Sequence, residues 1–218
     1  EVSIIKVKCC LKLTMKYNLL ALVSAQSKVS INNMKHIIYK KQIAYNQGTS
    51  LKRVVLGAGC FWGVEKKFWS VPGVEMTSVG YAGGHASNPS YESVCTGSTG
   101  HTEVVKIQFN LSVITLKEVL KIFWECHDPT QGNRQGNDIG TQYRSACFCE
   151  SEEDMRVAEE TFQHYQDNLL AAGYGKITTE LKVLEEYHFA EEYHQQYLEK
   201  NPNGYCGIGG TGCSFDAR

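Results

Sequence analysis

The chain has 218 residues, 42% of them hydrophobic, and a formal net charge of -1 at pH 7. This length is enough to bury one sizeable core, and the balanced charge gives no indication of a nucleic-acid partner or an anionic membrane surface. Nine cysteines form an odd number in a chain this long, unlike the disulfide framework of a small secreted protein. Most of them are interpreted as buried apolar side chains.

The first 52 residues contain one acidic residue, Glu1, nine lysines and no arginine. Their apolar stretches are far too short to span a bilayer. Residues 1–50 are therefore predicted to form a poorly ordered leader or targeting-like extension, and residues 51–218 one domain. The predicted location is the cytoplasm, with mitochondrial or other targeting by the basic leader as the alternative.

Strands and helices alternate in the predicted order from Leu51 onward. A β-branched run at 53–56 predicts a buried strand that enters a glycine turn. The helix that follows carries apolar residues at Val64, Phe68 and Val71 and ends before Pro72. Further strands are predicted at 74–81, 102–109, 143–150 and 177–181, and further helices at 116–124, 151–172 and 191–198.

This order predicts the α+β class, as a two-layer α/β sandwich with a mixed β-sheet around a ferredoxin-like core. The chain contains no long repeat and no proline- or serine-rich linker that would divide it. From Asn201 onward the glycine content predicts a coil tail.

Cys60 follows the glycine turn, so its sulfur is predicted to lie at a helix N-terminus. The partial positive charge there can lower a thiol pKa from about 8.5 toward the range ~3.5–7.5 and so produce a nucleophilic thiolate. The alternative from local sequence alone is a buried structural cysteine in an ordinary strand–helix turn.

The run Gly59-Cys60-Phe61-Trp62-Gly63-Val64-Glu65 resembles the active-site signature of the A-type peptide methionine sulfoxide reductases. The resemblance continues in order along the chain, from about Leu51 to Ser214. Its further motifs lie at 80–84, 88–91, 100–105, 127–130, 136–138, 142–145, 193–198 and 201–206.

The resemblance implies that Cys60 attacks the sulfoxide sulfur and becomes a sulfenic acid, and that Glu103 protonates the oxygen. Oxide is a poor leaving group, and a carboxyl in an apolar cleft can stay protonated for this task. Tyr91 and Tyr143 would hydrogen-bond the same oxygen, and Asp138 would shape the polar side of the site. Without the resemblance, the tyrosines are read as core aromatics and Glu103 as a surface charge on a strand.

Phe61 and Trp62 would form an apolar pocket for the substrate methyl group. Cys206 would condense with the sulfenic acid, and Cys213 would pass the resulting disulfide to thioredoxin or another dithiol. The spacing around Cys213 varies in the family, so a cycle with Cys206 as the only resolving thiol is the alternative. The resemblance further implies the S epimer of methionine sulfoxide, free or in proteins, as substrate. The chain is also predicted to be a monomer without bound cofactor or metal.

Three other interpretations are open from the residues alone. A cysteine protease would need a histidine base for Cys60, and the candidates are His85, His101 and His127. A metal protein is suggested by the carboxylate–histidine spacings in 185–188 and 191–194, but these lie in one stretch and not on facing helices. A thiol-rich binding module without catalysis is the third. Cys95 and Cys126 are left as structural cysteines or extra redox partners.

Overall fold

The computed structural model describes residues 34–45, 48 and 50–216. Strands β1 to β8 span Leu51–Gly57, Val74–Ala82, Thr102–Asn110, Arg134–Gln135, Asp138–Ile139, Ala146–Cys149, Glu180–Val183 and Tyr187–Phe189. Helices α1 to α5 span Phe61–Trp69, Tyr91–Cys95, Leu116–Cys126, Glu152–Ala171 and Tyr197–Lys200. Two short 3₁₀ helices lie at Thr141–Tyr143 and Glu192–His194.

Six strands form one sheet in the order β7-β6-β1-β3-β2-β8, and β4 pairs with β5 in a separate hairpin. The β6–β7 pair is parallel, and the other pairs of this sheet are antiparallel. The prediction of an α+β fold with a mixed sheet is thus confirmed. The finer prediction of a ferredoxin-like core stays a prediction.

The main core lies between one face of the sheet and helices α1, α3 and α4. Residues two apart on a strand share a face, so Val54 and Leu56 of β1 lie with Val105 and Ile107 of β3 on this side. All four are completely buried. Burial of one such side chain contributes about 1.5–3 kcal/mol, so this layer is the principal source of stability.

Two of the core helices begin with capping side chains. Thr115 and Glu118 form a reciprocal capping box at α3, and the Ser151 side chain accepts a hydrogen bond from Asp154 N–H at α4. These contacts satisfy amide groups that the first helical turn leaves without intrahelical partners. No helix among the described residues is both long and apolar enough to cross a membrane.

Residues ahead of β1 also pack on the domain. Met34 and Ile43 are buried against Met76 of β2, on the face of the sheet away from the main core. Tyr39 donates a hydrogen bond of 3.1 Å to the carbonyl of Trp69. The packed body therefore begins ahead of the predicted boundary at Leu51. Residues 1–33 lie outside the described residues, and the predicted leader stays a prediction.

Three elements in the second half of the chain differ from the prediction. The strand predicted at 143–150 covers only 146–149, because residues 141–143 form a 3₁₀ turn. The strand predicted at 177–181 lies at 180–183, and it is a half-exposed edge strand and not a core strand. The helix predicted at 191–198 is interrupted at Gln196, whose φ of 47° is left-handed. A residue in this conformation cannot continue a right-handed helix.

No described residue of the tail after Asn201 lies in a helix or a strand. The far end of this tail nevertheless packs against the domain. Phe215 is only 3% exposed. Its N–H donates to the Glu125 carboxylate at 2.7 Å, and its carbonyl accepts hydrogen bonds from His164 at 2.7 Å and Asn168 at 2.8 Å. The end of the tail is thereby attached to α3 and α4.

Replacing Gly80 with alanine is expected to destabilise the fold. An added β-carbon would lie 2.3 Å from the carbonyl oxygen of His188 and 2.5 Å from the Tyr187 ring, where β8 pairs with β2. Forcing atoms into a packed position costs about 1–3 kcal/mol, so the thermal midpoint should fall clearly. Gly209→Ala is the matched control, because nothing lies within 4 Å of its added β-carbon. Equal midpoints for both variants would contradict this account.

Candidate active site

Cys60 is the N-cap residue of α1 and is half-buried. It follows Gly59, whose φ of 86° is a left-handed value that favours glycine. An added β-carbon at Gly59 would also lie 2.7 Å from the Gln135 side chain. The tight turn between β1 and α1 thus requires a glycine directly before the sulfur.

The pKa of the Cys60 thiol is set by opposing influences. Burial raises it above its ordinary value, and the negative charge of Glu103 raises it further. The backbone N–H groups of Trp62 and Gly63 lower it, as expected at a helix N-terminus, but they do not outweigh burial. The net effect is a raised pKa for the Cys60 thiol, whereas helix position alone predicts a lowered one.

Glu103 lies on β3 with its carboxyl group beside the same helix end. It is 2% exposed, and its Oε2 accepts a hydrogen bond of 3.0 Å from Phe61 N–H, the first amide of α1. Burial raises the pKa of Glu103 to about 8, the Asp138 charge raises it too, and the bond from Phe61 lowers it. At neutral pH this carboxyl is therefore largely protonated, and its charge then no longer opposes ionisation of Cys60.

Tyr91 and Tyr143 approach the site from α2 and from the end of a 3₁₀ helix. The backbone N–H of Tyr91 donates to the Glu191 carboxylate at 2.9 Å. Burial is the main cause that raises the pKa of both phenols, and the Glu103 charge adds to it. Both hydroxyl groups therefore stay protonated and can donate hydrogen bonds.

The two aromatic residues after Cys60 differ in exposure. Phe61 is 1% exposed and belongs to the main core, whereas Trp62 is only partly buried at its edge. The indole of Trp62 donates to His194 Nδ1 at 3.0 Å and stacks on Tyr197 with ring centroids 3.8 Å apart. Trp62 therefore presents an accessible apolar surface held in a defined orientation.

Asp138 connects the site to the tail. Its Oδ2 accepts a hydrogen bond of 3.2 Å from the Tyr205 hydroxyl. Its charge also raises the pKa of Cys60, Glu103 and Tyr143, so the carboxylate lies close to all three.

Cys206 is exposed and lies against the first turn of α1. Its Sγ is 3.2 Å from the position that a β-carbon on Gly63 would occupy. Gly63 is one helical turn beyond Cys60, so the absence of a side chain there leaves space for the Cys206 sulfur near the Cys60 end of the helix.

Cys213 is held elsewhere, on the side of the domain formed by α3 and α4. It packs half-buried against the main core, and its carbonyl accepts a hydrogen bond of 3.2 Å from the Tyr165 hydroxyl. The structure therefore places Cys60, Glu103, Tyr91, Tyr143, Asp138, Phe61, Trp62 and Cys206 around the N-terminus of α1, and it leaves Cys213 at the anchored end of the tail.

Several residues that line this site have no predicted role in the reductase chemistry. Glu191 accepts hydrogen bonds from the Tyr81 hydroxyl and from Tyr91 N–H, both at 2.9 Å. His194 and Tyr197 support Trp62, and both belong to the motif at 193–198. Glu191 and His194 also form the carboxylate–histidine spacing that was interpreted above as a possible metal site.

Of the three histidines considered as protease bases, His85 is exposed, and the rings of the other two have partners away from Cys60. His127 bonds the Phe123 carbonyl and the Ser145 hydroxyl, both at 2.7 Å. His101 contacts the Ala86 carbonyl at 2.8 Å and accepts from Gly84 N–H at 3.1 Å. Of the remaining thiols, Cys126 is buried and Cys95 is exposed on α2.

Comparison with known proteins identifies the family of the chain. Residues 52–212 match the family model for peptide methionine sulfoxide reductase. The peptide methionine sulfoxide reductase of Rhodospirillum centenum is 57% identical over 164 residues, which cover 75% of each chain. One from Caulobacter vibrioides is 59% identical over 162 residues, 74% of this chain and 75% of the relative.

Solved structures agree as well. Methionine sulfoxide reductase A of Corynebacterium diphtheriae superposes with a TM-score of 0.75 at 45% identity, covering 80% of this chain and 85% of that one. The reduced form of Mxr1 from Saccharomyces cerevisiae gives 0.67 at 36% identity, covering 75% and 92%. On the family match and these identities, the chain belongs to the peptide methionine sulfoxide reductase family.

Proposed function

We propose that this enzyme reduces the S epimer of methionine sulfoxide, free or in proteins, with Cys60 as nucleophile and Glu103 as general acid. The observation that carries the proposal is the contact between Glu103 and the helix end that bears Cys60. The carboxyl is 2% exposed, accepts from Phe61 N–H at 3.0 Å and has a pKa raised to about 8. A proton donor therefore lies beside the nucleophile at physiological pH.

In the first step, the Cys60 sulfur attacks the sulfoxide sulfur and Glu103 protonates the oxygen. The oxygen is transferred to Cys60, so methionine leaves as the reduced thioether and Cys60 becomes a sulfenic acid. Tyr91 and Tyr143 donate hydrogen bonds to the oxygen as negative charge develops on it. The carboxylate of Asp138 lies on the polar side of the site and orients Tyr205.

Trp62 and Phe61 form the apolar surface that receives the substrate methyl group. A methyl group gains free energy by leaving water, whereas a polar group placed there would lose its hydrogen bonds. Because Phe61 is buried in the core, the accessible part of this surface is Trp62.

Cys206 then attacks the sulfenic acid, water leaves, and a Cys60–Cys206 disulfide forms. The Cys206 sulfur beside Gly63 supports this assignment. Cys213 opens that disulfide by exchange, and the dithiol of thioredoxin, or another dithiol, reduces the Cys206–Cys213 bond. This second exchange requires the tail between the two cysteines to move, and four glycines lie within it.

The proposed enzyme acts as a monomer, needs no bound cofactor or metal, and has neither nucleic acid nor membrane as partner. Its predicted location is the cytoplasm, or the mitochondrion if residues 1–50 act as a targeting leader.

The test is turnover of the two sulfoxide epimers with thioredoxin as reductant, by the wild type, Cys206→Ser and Cys213→Ser. The wild type should reduce only the S epimer. Cys206→Ser should release about one equivalent of methionine per enzyme and then stop, because no thiol resolves the sulfenic acid. Cys213→Ser should also make one equivalent and then retain a Cys60–Cys206 disulfide, detected by mass spectrometry of the intact protein. Continuous turnover by Cys206→Ser, or equal activity on both epimers, would contradict the proposed cycle.

A further inference from the structure

We infer that Glu65 is a positioning residue for the methyl pocket, holding residues 194–197 behind the Trp62 indole. The inference rests on the proposed role of Trp62 as the surface that receives the substrate methyl group. Glu65 lies on α1, three residues after Trp62, so the two side chains leave the same side of one helix.

Glu65 is completely buried, and three donors meet its carboxylate. Oε2 accepts from Gln196 N–H at 2.8 Å, and Oε1 accepts from the Gln196 side-chain amide at 2.9 Å and from the Thr77 hydroxyl at 3.1 Å. His36 approaches from the segment ahead of β1 and donates to the Thr77 oxygen at 2.9 Å. Burial raises the pKa of Glu65 to about 7, and the hydrogen bonds from Gln196 and Thr77 lower it. A buried carboxyl group needs such partners, so this is not an incidental contact.

The carboxylate supports a backbone conformation that is otherwise unfavourable. Gln196 has φ 47°, a left-handed value that few residues other than glycine adopt readily. Backbone strain of this kind persists only where surrounding contacts impose it. The two hydrogen bonds from Gln196 to Glu65 supply that constraint, and they fix where residues 194–197 turn.

Both neighbours of this turn hold Trp62. Before it, His194 accepts the indole N–H at 3.0 Å; after it, Tyr197 stacks on the indole at 3.8 Å with planes 13° apart. Helix α1 therefore contacts residues 194–197 twice, through Glu65 at the turn and through Trp62 on either side of it. Gln195 is held separately by hydrogen bonds to Val79 and Ala190. Loss of the Glu65 contact would therefore release the backbone at Gln196 and shift the support behind the indole without unfolding the turn.

The experiment is a double-mutant cycle measured in single turnover, without thioredoxin, on pre-reduced enzyme and the S epimer of methionine sulfoxide. Glu65→Gln keeps the size of the side chain but directs an amide N–H₂ at donor groups. It should raise the half-saturating sulfoxide concentration about tenfold and leave the maximal rate of methionine formation near that of the wild type. In a Trp62→Phe background the same change should have no further effect, because the positioned group is gone.

Two more variants separate positioning from general loss of structure. Glu159→Gln, an exposed carboxylate on α4, should match the wild type. Gln196→Gly retains the left-handed turn and the backbone bond to Glu65 but removes the side-chain bond, so it should fold and raise the half-saturating concentration by a smaller factor. It provides the test if Glu65→Gln fails to fold.

The outcomes distinguish the inference from the proposal on which it rests. If Trp62→Phe alone leaves the half-saturating concentration unchanged, the proposed methyl pocket is wrong. If Trp62→Phe raises it but Glu65→Gln does not, or if Glu65→Gln has the same effect in both backgrounds, Glu65 does not act through Trp62. A fall in the maximal rate with unchanged half-saturation would also overturn the positioning role.

Discussion

Replacing Cys60 with serine is expected to reduce kcat/KM for methionine sulfoxide by at least about 10⁴-fold, because the sulfur is the atom that forms the covalent intermediate. A serine hydroxyl at this N-cap position is a far weaker nucleophile toward sulfur and cannot form a sulfenic acid. The measurement is methionine release in single turnover, with unfolding midpoints recorded to exclude loss of the fold.

Cys95→Ser is the control for the general loss of a thiol near the site. Cys95 is exposed on α2, and a serine there can still hydrogen-bond the Tyr91 hydroxyl. This variant should remain close to wild type. A reagent that traps sulfenic acids should label Cys60 in Cys206→Ser after one turnover, and labelling elsewhere, or activity surviving in Cys60→Ser, would refute the assignment of the nucleophile.

Glu103→Gln is expected to lower the single-turnover rate by about 10²–10⁴-fold, the range over which a positioned general acid contributes. Glutamine preserves the shape of the side chain and can still hydrogen-bond the sulfoxide oxygen, but it has no proton to transfer. Glu92→Gln, on the exposed surface of α2, is the matched control and should retain wild-type activity. A rate for Glu103→Gln within a few-fold of that control would rule out an essential general acid here.

The reduction rate is expected to depend on pH in a defined direction. Because burial raises the pKa of Glu103 to about 8, its acid form is present below that pH and is lost as the pH rises through it. The wild-type rate should therefore decline above about pH 8, and the decline should be missing in Glu103→Gln. Since Cys60 titrates beside it, the measured midpoints belong to the coupled pair. The stability of the wild type relative to Glu103→Gln should fall as the pH rises from the ordinary glutamate pKa of 4.5 to about 8 and then stay level, since over that range the unfolded chain loses the proton that the folded carboxyl retains.

Local sequence determined much of the architecture. The strands β1, β2 and β3 and the helices α3 and α4 carry strong apolar periodicity, glycine turns or capping residues, and each lies within a few residues of its prediction. For the short strands at the edges of the sheet, the predicted positions agree less well with the structure. Strands β7 and β8 have four and three residues and depend on pairing with β6 and β2, partners that are distant in sequence.

Local sequence also left the broken helix at 191–198 unpredicted. Its apolar and polar residues are compatible with a continuous helix, and the interruption follows from two hydrogen bonds between Gln196 and Glu65, which is 131 residues earlier. A contact of that separation is a property of the folded chain, and no local propensity reports it.

The sequence by itself identified Cys60 and the motifs around it, because residue types and their order can be compared directly with a family. Only the tertiary structure decided the surroundings of that sulfur. A helix N-terminus alone predicts a lowered pKa for the Cys60 thiol, whereas burial and the charge of Glu103 raise that pKa. Ionisation of Cys60 therefore depends on whether Glu103 is protonated. The glycine content predicts a coil tail, and only the fold shows that docking of Phe215 holds Cys213 of this tail against α3 and α4. Electrostatic and packing effects of this kind depend on distances between residues far apart in the chain, which only the fold determines.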